Sequence, residues 1–510
     1  MNDDLVLSVD LGTGGPKVGL VTSTGEVVAF EHHRVDTHFD AHGAATQDAG
    51  LWWTLVVSAA RRLLARPEVP AGRVGAVAVT GQYASTVPVD ANGEPTGPCL
   101  TWLDTRGGAH VRRAIGGPAM GYNPRTVARF VRRTGGAPST AGADPIGQIL
   151  YLTRVEPELV ARTRWFLEPV DYLTMRFTGV ASATHASRLA AWLTDNRFLG
   201  RLEYDAQLAG LVGIDLARLP PLLAFGAVVG PVQPSVAAEL GLADDALVVA
   251  GMPDLHAAAV GAGATRLYDT HLALSTTSWI SCPVPAKKTD ALHSIVAAPG
   301  LSNDSYLVIN NQETGGKALE WLRDLVTVTG PAPNLDELTA LAATSPPGAR
   351  GVTFAPWLAG ERSPVDDKRV RAAFSSLAVT TTSADLARAV LEGVAANSAW
   401  LLGYVERFTG RRLEPLRLLG GGAQSSLWCQ IYADTLDRRV EQVPQPMVAQ
   451  LRGAALVAVV ARGRLTFDDI ADHAPRGEVF TPRTDAAELY AARRTDLPTL
   501  YRRERKWARR

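Results

Sequence analysis

The stretch Ala246-Leu-Val-Val-Ala-Gly-Met-Pro-Asp254, continued by Leu-His-Ala-Ala-Ala-Val-Gly-Ala-Gly263, constrains the chain most. The apolar run Ala246 to Ala250 is brief, branched and bounded by turn residues, which predicts a buried strand. Gly251 and Pro253 break it, and Asp254 then opens an alanine-rich helix. Open α/β sheets place their ligands at the carboxyl ends of strands, where a helix begins. Asp is also a preferred helix N-cap, so a purely structural role for Asp254 stays open on this stretch alone.

The chain is built as two similar halves. Leu5-Val-Leu-Ser-Val-Asp10 reads as a strand, Leu11 to Lys17 as a glycine-rich turn, and Val18 to Thr22 as a second strand. Far downstream, Thr270-His-Leu-Ala-Leu-Ser-Thr-Thr-Ser278 is again a strand ending in a hydroxyl-rich turn, followed by a strand from Trp279. At 510 residues the chain exceeds a single core. Two domains are expected, 1–250 and 251–510, with Gly251 to Gly263 at the boundary. The first turn lacks GxGxxG and leads to a strand, so this is no dinucleotide-binding entry. Asp10 ends its strand, and Gly12 and Thr13 follow. Backbone N–H groups and a hydroxyl can then face a phosphate while the carboxylate faces a metal. An Asx-turn would explain Asp10 alone equally well.

Between these halves the motifs are mixed. His32, His33, His38 and His42 lie near Asp36 and Asp40, yet their spacing matches no compact ligand motif, and a solvated stretch is the plainer reading. Val74 to Val79 predicts a buried strand running into Thr80-Gly-Gln-Tyr-Ala-Ser85. The segment Leu100 to Arg106 reads as extended, which puts Trp102, Asp104 and Arg106 on one side. An aromatic plate beside ionic hydrogen-bonding groups suits a sugar or polyol, while a packed Trp with a surface ion pair is the alternative. Residues 123–240 read as mostly helical. Thr382-Ser-Ala-Asp385 opens a long core helix that Gly410 ends. In Leu416 to Ser426 a strand runs into Gly420-Gly-Gly422, where backbone can approach a base or phosphate at a helix N-terminus.

Charge excludes some partners. Lys plus Arg equals Asp plus Glu at 51 each, so no net field favours nucleic acid or an anionic membrane. The basic run Tyr501 to Arg510 reads as a solvated helix end. Cys99, Cys282 and Cys429 are scattered, which fits a reducing compartment. Asn2-Asp3-Asp4 leads into a strand with no basic leader, and no apolar run reaches membrane-spanning length, so a cytoplasmic protein is expected.

As an ordered set the motifs resemble the FGGY family of carbohydrate kinases, with its actin/hexokinase-type fold. They are Asp10-Leu-Gly-Thr13 with Lys17, Gln47-Asp48 before Trp52-Trp53, Gly81-Gln82, Trp102-Leu-Asp-Thr-Arg106, Pro169-Val-Asp-Tyr-Leu173, Gly251 to Gly263, Gly360-Glu-Arg-Ser-Pro364, Arg388 to Gly393, Gly420-Gly-Gly-Ala423 and Gly453-Ala-Ala455. The resemblance implies an α/β fold of two ribonuclease-H-like domains with a cleft between them. It implies ATP against Gly420, Gly421, Gly422 and Ala423, with phosphates between Gly12, Thr13 and Lys17 on one side and Ser275, Thr276, Thr277 and Gly316 on the other. Asp10 would hold Mg²⁺, and Asp254 would be the general base. The acceptor would meet Gln82, Tyr83, Trp102, Asp104, Asp254 and Leu255, with a ketopentose such as xylulose first, then ribulose or a tetritol. A homodimer is a family-level expectation. Departures from the xylulokinase pattern lie at Tyr83-Ala84-Ser85, where Met-His-Gly is usual, and at Leu255, where Asn is usual. Glycerol kinases have Arg-Glu at Tyr83-Ala84 and Gln at Leu255. Ser275 and Ser376 replace glycines, and Leu255 with His256 is expected to mark a difference in acceptor. A catalytically silent regulator and a chaperone- or filament-like ATPase are the competing classes.

Overall fold

A computed structural model describes residues 5–69, 73–119, 121–243, 245–327 and 331–508; Asn2-Asp3-Asp4 and the last two residues of the basic tail lie outside them. Two mixed sheets carry the chain. The first contains β1 (Leu5–Gly12), β2 (Gly15–Val21), β3 (Val27–His32), β4 (Val74–Gly81), β5 (Val228–Pro231) and β6 (Leu247–Val249), in the order β5-β6-β4-β1-β2-β3. The second contains β7 (Thr270–Leu274), β8 (Ser278–Ser281), β9 (Leu416–Leu419), β10 (Val440–Gln442) and β11 (Val479–Phe480), in the order β8-β7-β9-β10-β11. In each, a hairpin is followed by a strand parallel to its first member: β4 beside β1, and β9 beside β7. The echo read in the sequence is therefore topological.

Strand alternation decides which face looks where. Leu5, Leu7, Val9 and Leu11 of β1 pack in a cluster with Trp52, Val56 and Ala60 of α1 (Ala49–Leu64). The even residues face the other way. Val6 packs against α2 (Asp254–Gly261) and the helix Ala449–Ala461, and Ser8 Oγ donates to Leu451 O at 2.8 Å. Asp10 continues that even face, toward the middle of the molecule.

The two helices of that seam touch nearly backbone to backbone. A Cβ on Gly261 would lie 1.8 Å from Ala449 O, and one on Gly453 1.8 Å from Ala257 O. Only glycine fits at either crossing. On its far side α2 meets the second sheet through Ala258, Ala262, Ala273 and Leu419. The helix Ser383–Thr409 covers the opposite face of that sheet; it has the Thr382/Asp385 capping box and ends at Gly410 with φ +70°.

Two local expectations need correction. Residues 123–240 are less helical than their pattern suggests: helices run over 124–134, 145–155, 157–162, 169–178, 206–212 and 234–240, but most of 179–205 is turn and irregular chain. After Cys99–Leu100 the chain also turns rather than continuing as a strand, with Asp104 N–H donating to Thr101 O. Among the described residues no helix is long and apolar enough to cross a membrane.

Candidate active site

Register in the first sheet sets the centre. Asp10 lies across from Lys17 in β2 and beside Thr80 in β4, while Met252 lies beside Thr80 and Pro253 beside Gly81. Asp254 follows directly, so both carboxylates emerge at one end of the sheet. Asp10 is 4% exposed, with Lys17 Nζ 3.2 Å from its Oδ2. Pro253 occupies the cap position of α2, and Asp254 is the first helical residue, partly open to solvent. Burial and the negative charge of Asp10 push its carboxyl up to about 7, against the opposing pull of the Leu255 N–H and Lys17. Removal from water outweighs the helix N-terminus, which would hold a carboxylate down. Such a group can take a proton near neutral pH.

The donor set also bears on a metal. Among the described residues no group of three or more His, Cys, Asp or Glu is placed to hold one, and His33 instead meets Glu31 at 3.1 Å. A hard cation that keeps its water and binds mainly phosphate oxygens needs only one or two carboxylates. Asp10 fits Mg²⁺ arriving with a nucleotide, not a resident transition metal.

A polar node lies beside these carboxylates. Thr13 Oγ1 donates to Gln82 Oε1 at 3.3 Å and accepts from Trp102 Nε1 at 3.0 Å. Gln47 Nε2 donates to Thr13 O at 2.7 Å, and Gln82 Nε2 donates to Gln47 Oε1. The turn expected to meet phosphate and the residues expected to meet the acceptor are thus one network. Gln47, from the Gln47-Asp48 motif, is part of it. Asp104 is not. It is wholly buried, and its carboxylate is already engaged by the Ala45 N–H and by Arg106 at 2.7 Å. Leu255 packs with Leu189, Ala259 and Leu307 against Tyr83 and Ala84, so the wall beside Asp254 is apolar. His256 points elsewhere: it is buried, with Nε2 2.8 Å from Pro299 O and its ring against Phe225. Burial pushes it down to about 4, so it is neutral and couples the two halves rather than contacting an acceptor.

In the second half the hydroxyl-rich turn is held by backbone. Gly315 N–H donates to Thr276 O and Gly316 N–H to Ser275 O. Gly420 has φ +94°, and a Cβ there would lie 2.5 Å from Leu274 O. Ser275, Thr276, Thr277, Gly316 and Gly420 therefore meet at one place. A Cβ at Gly421 would face open space, Gly422 packs on the Leu274 side chain, and Ala423 is buried. Ser275 does not occupy the left-handed region and carries no strain, whereas Ser376 does, at φ +65°.

Arg362 belongs to the Gly360-Glu-Arg-Ser-Pro364 motif. Buried Glu361 fixes its backbone: Oε1 accepts the N–H groups of Glu313 and Arg362, and Oε2 accepts from Asn397 Nδ2 at 2.6 Å. The Arg362 side chain is half exposed and 3.2 Å from Glu313. Burial raises the pKa of the Tyr83 phenol, with Asp254 adding to the rise and Arg362 opposing it. Tyr83 thus lies within electrostatic reach of both Asp254 and Arg362.

The chain matches the FGGY family of carbohydrate kinases over both its domains, the N-terminal domain at residues 5–261 and the C-terminal domain at residues 273–462. The crystal structure of xylulose kinase from Rhodospirillum rubrum superposes with a TM-score of 0.83 at 26% identity, covering 99% of this chain and 100% of that one. The fold is accordingly the two-domain α/β fold of actin/hexokinase type. The chain is 30% identical to xylulose kinase of Streptomyces rubiginosus, covering 98% of this chain and 95% of that protein. It is 24% identical to gluconokinase of Bacillus subtilis, covering 97% and 94%. This chain belongs to the FGGY family of carbohydrate kinases and is a sugar phosphotransferase.

Proposed function

We propose that the chain transfers the γ-phosphoryl group of ATP to a hydroxyl of a ketopentose, D-xylulose first, with Asp254 as general base. The observation that carries this reading is the Asp254 carboxyl, held near neutrality beside Asp10 at a strand end. Asp254 takes the proton of the acceptor hydroxyl as its oxygen bonds to the γ-phosphorus; the bond to the β-bridging oxygen breaks and ADP leaves. The chain need supply little beyond positioning and charge. Lys17, Gly12 and Thr13 face the phosphates from one side, and Ser275, Thr276, Thr277 and Gly316 from the other, with adenosine against Gly420 to Ala423. Asp10 would hold Mg²⁺, which when bound neutralises charge on the β- and γ-phosphates. Residues 1–250 form the acceptor half and 251–510 the nucleotide half. Gln82, Tyr83 and Trp102 meet the acceptor, without Asp104.

Arg362 supports a second reading, a sugar acid whose carboxylate it would neutralise, in line with the gluconokinase relative. An ADP-release assay across xylulose, ribulose, tetritols and gluconate, with Asp254→Ala as control, decides between them. No sugar-stimulated turnover from any acceptor would leave the silent-regulator reading standing.

A further inference from the structure

Two segments meet at the Thr13 hydroxyl, one carrying Gln82 and Tyr83 and the other carrying Trp102, and neither is fixed by the sheet alone. Ala84, in the first of them, sits at φ +61°, a conformation a non-glycine residue holds only when its surroundings enforce it. What enforces it lies behind the site, on helix 145–155. Gln148 is wholly buried there; its Nε2 donates to Ala84 O at 3.0 Å and to Thr101 O at 2.9 Å, and its Oε1 accepts from Thr86 Oγ1 at 2.7 Å. One amide thus grips both segments. Glu168, also wholly buried, accepts the Ser85 N–H at 3.0 Å, and Ser85 Oγ in turn accepts the Trp102 N–H at 3.0 Å.

We propose that Gln148, backed by Glu168, is a positioning residue that fixes the spacing of the two acceptor-facing segments and so sets acceptor affinity and choice. This rests on the acceptor reading above. Only a primary amide of this length offers two N–H donors and one acceptor together. Without it the Ala84 carbonyl is left unpaired in the interior and the Thr101 carbonyl keeps only the Asp104 N–H, and the segments move to recover hydrogen bonds. Glu168 needs only to accept. Burial pushes its carboxyl up to about 8, so it works without a full charge, and a neutral isostere can replace it.

The test pairs exchange with kinetics in the full chain. In Gln148→Leu, amide hydrogen exchange should quicken in both 82–86 and 99–104 while the β1–β2 hairpin is unchanged. The acceptor KM should rise about tenfold or more, with the KM for ATP and acceptor-independent ATP hydrolysis unchanged. The preference ratio between acceptors should also shift. Glu168→Gln should stay within about twofold of the unaltered protein. Should Gln148→Leu not fold, Ser85→Ala, which releases only the Trp102 N–H, should quicken exchange in 99–104 and raise the acceptor KM about threefold. Unchanged exchange in a folded variant, or a parallel rise in the KM for ATP, overturns the proposal. If the unaltered protein phosphorylates no acceptor, the acceptor reading fails, and the exchange data alone decide whether the clamp exists.

Discussion

The β1–β2 and β7–β8 hairpins have the same topology and opposite chemistry. The β1–β2 hairpin carries an ion pair, Asp10 with Lys17, and delivers it next to Asp254. The β7–β8 hairpin carries only hydroxyls at Ser275 to Thr277 and is pinned by backbone contacts to Gly315, Gly316 and Gly420. One half brings charge that can move protons and hold a cation; the other brings shape. Phosphoryl transfer asks for both, since positioning and electrostatic stabilisation make up most of its catalysis. Damage to the first hairpin or to Asp254 should therefore appear in kcat, and damage to the second in the KM for nucleotide.

The sharpest way to break this contrast is Asp254→Ala. Loss of a general base costs about 10²–10⁴-fold in rate, so kcat should fall by that amount while nucleotide affinity, measured by calorimetry, holds. Undiminished turnover would remove Asp254 from the chemistry. Asp10→Ala comes next, with an expected loss of about a hundredfold in Mg²⁺-dependent turnover and little change in acceptor affinity. Calorimetry that found acceptor binding lost instead would move Asp10 to the other side of the comparison. In the second hairpin, Gly420→Ala must adopt φ +94° with its Cβ against Leu274 O. A strain of about 1–3 kcal/mol should raise the KM for ATP roughly tenfold and leave kcat within a few-fold.

Much of this arrangement was legible in the sequence because it is local. A strand that ends in Asp10 and a glycine turn, or in Pro253 and Asp254, announces itself over ten residues. The hairpin echo and the Thr382 capping box are local too. What escaped depends on distant partners. Asp104 looked like an acceptor contact until the Ala45 N–H and the Arg106 guanidinium captured it. His256 lies two residues after a catalytic candidate, yet the helix turns it about 200° away from Asp254, into contact with Phe225. Gln148 and Glu168 carry no local signature, and the Gly360-Glu-Arg-Ser-Pro364 motif does not reveal what Arg362 faces, since their importance lies in carbonyls, N–H groups and a phenol that the sequence places far from them.

The smallest effect is also the most exacting check on Asp254. Its carboxyl is raised from 3.8 to about 7 in the folded chain, mainly by burial. The folded state therefore holds a proton more tightly than the unfolded one. The stability this contributes is fully present below about pH 4 and is lost as pH rises through about 7. Catalysis runs the other way: a base must be deprotonated, so kcat/KM should climb through about pH 7 and level above it. Asp254→Asn should abolish that limb of the rate profile and at the same time remove the stability loss. Buried Glu168, Asp171 and Glu361, raised to about 8, 7 and 7, impose a similar loss in both proteins. The difference between the two proteins isolates Asp254. Between pH 5.5 and 8.5 the unaltered chain should lose about 1 kcal/mol or more beyond what the Asn variant loses in denaturant unfolding. Equal losses would mean that Asp254 is well hydrated, and the charged first hairpin would then stand beside no poised base to set against the passive second one.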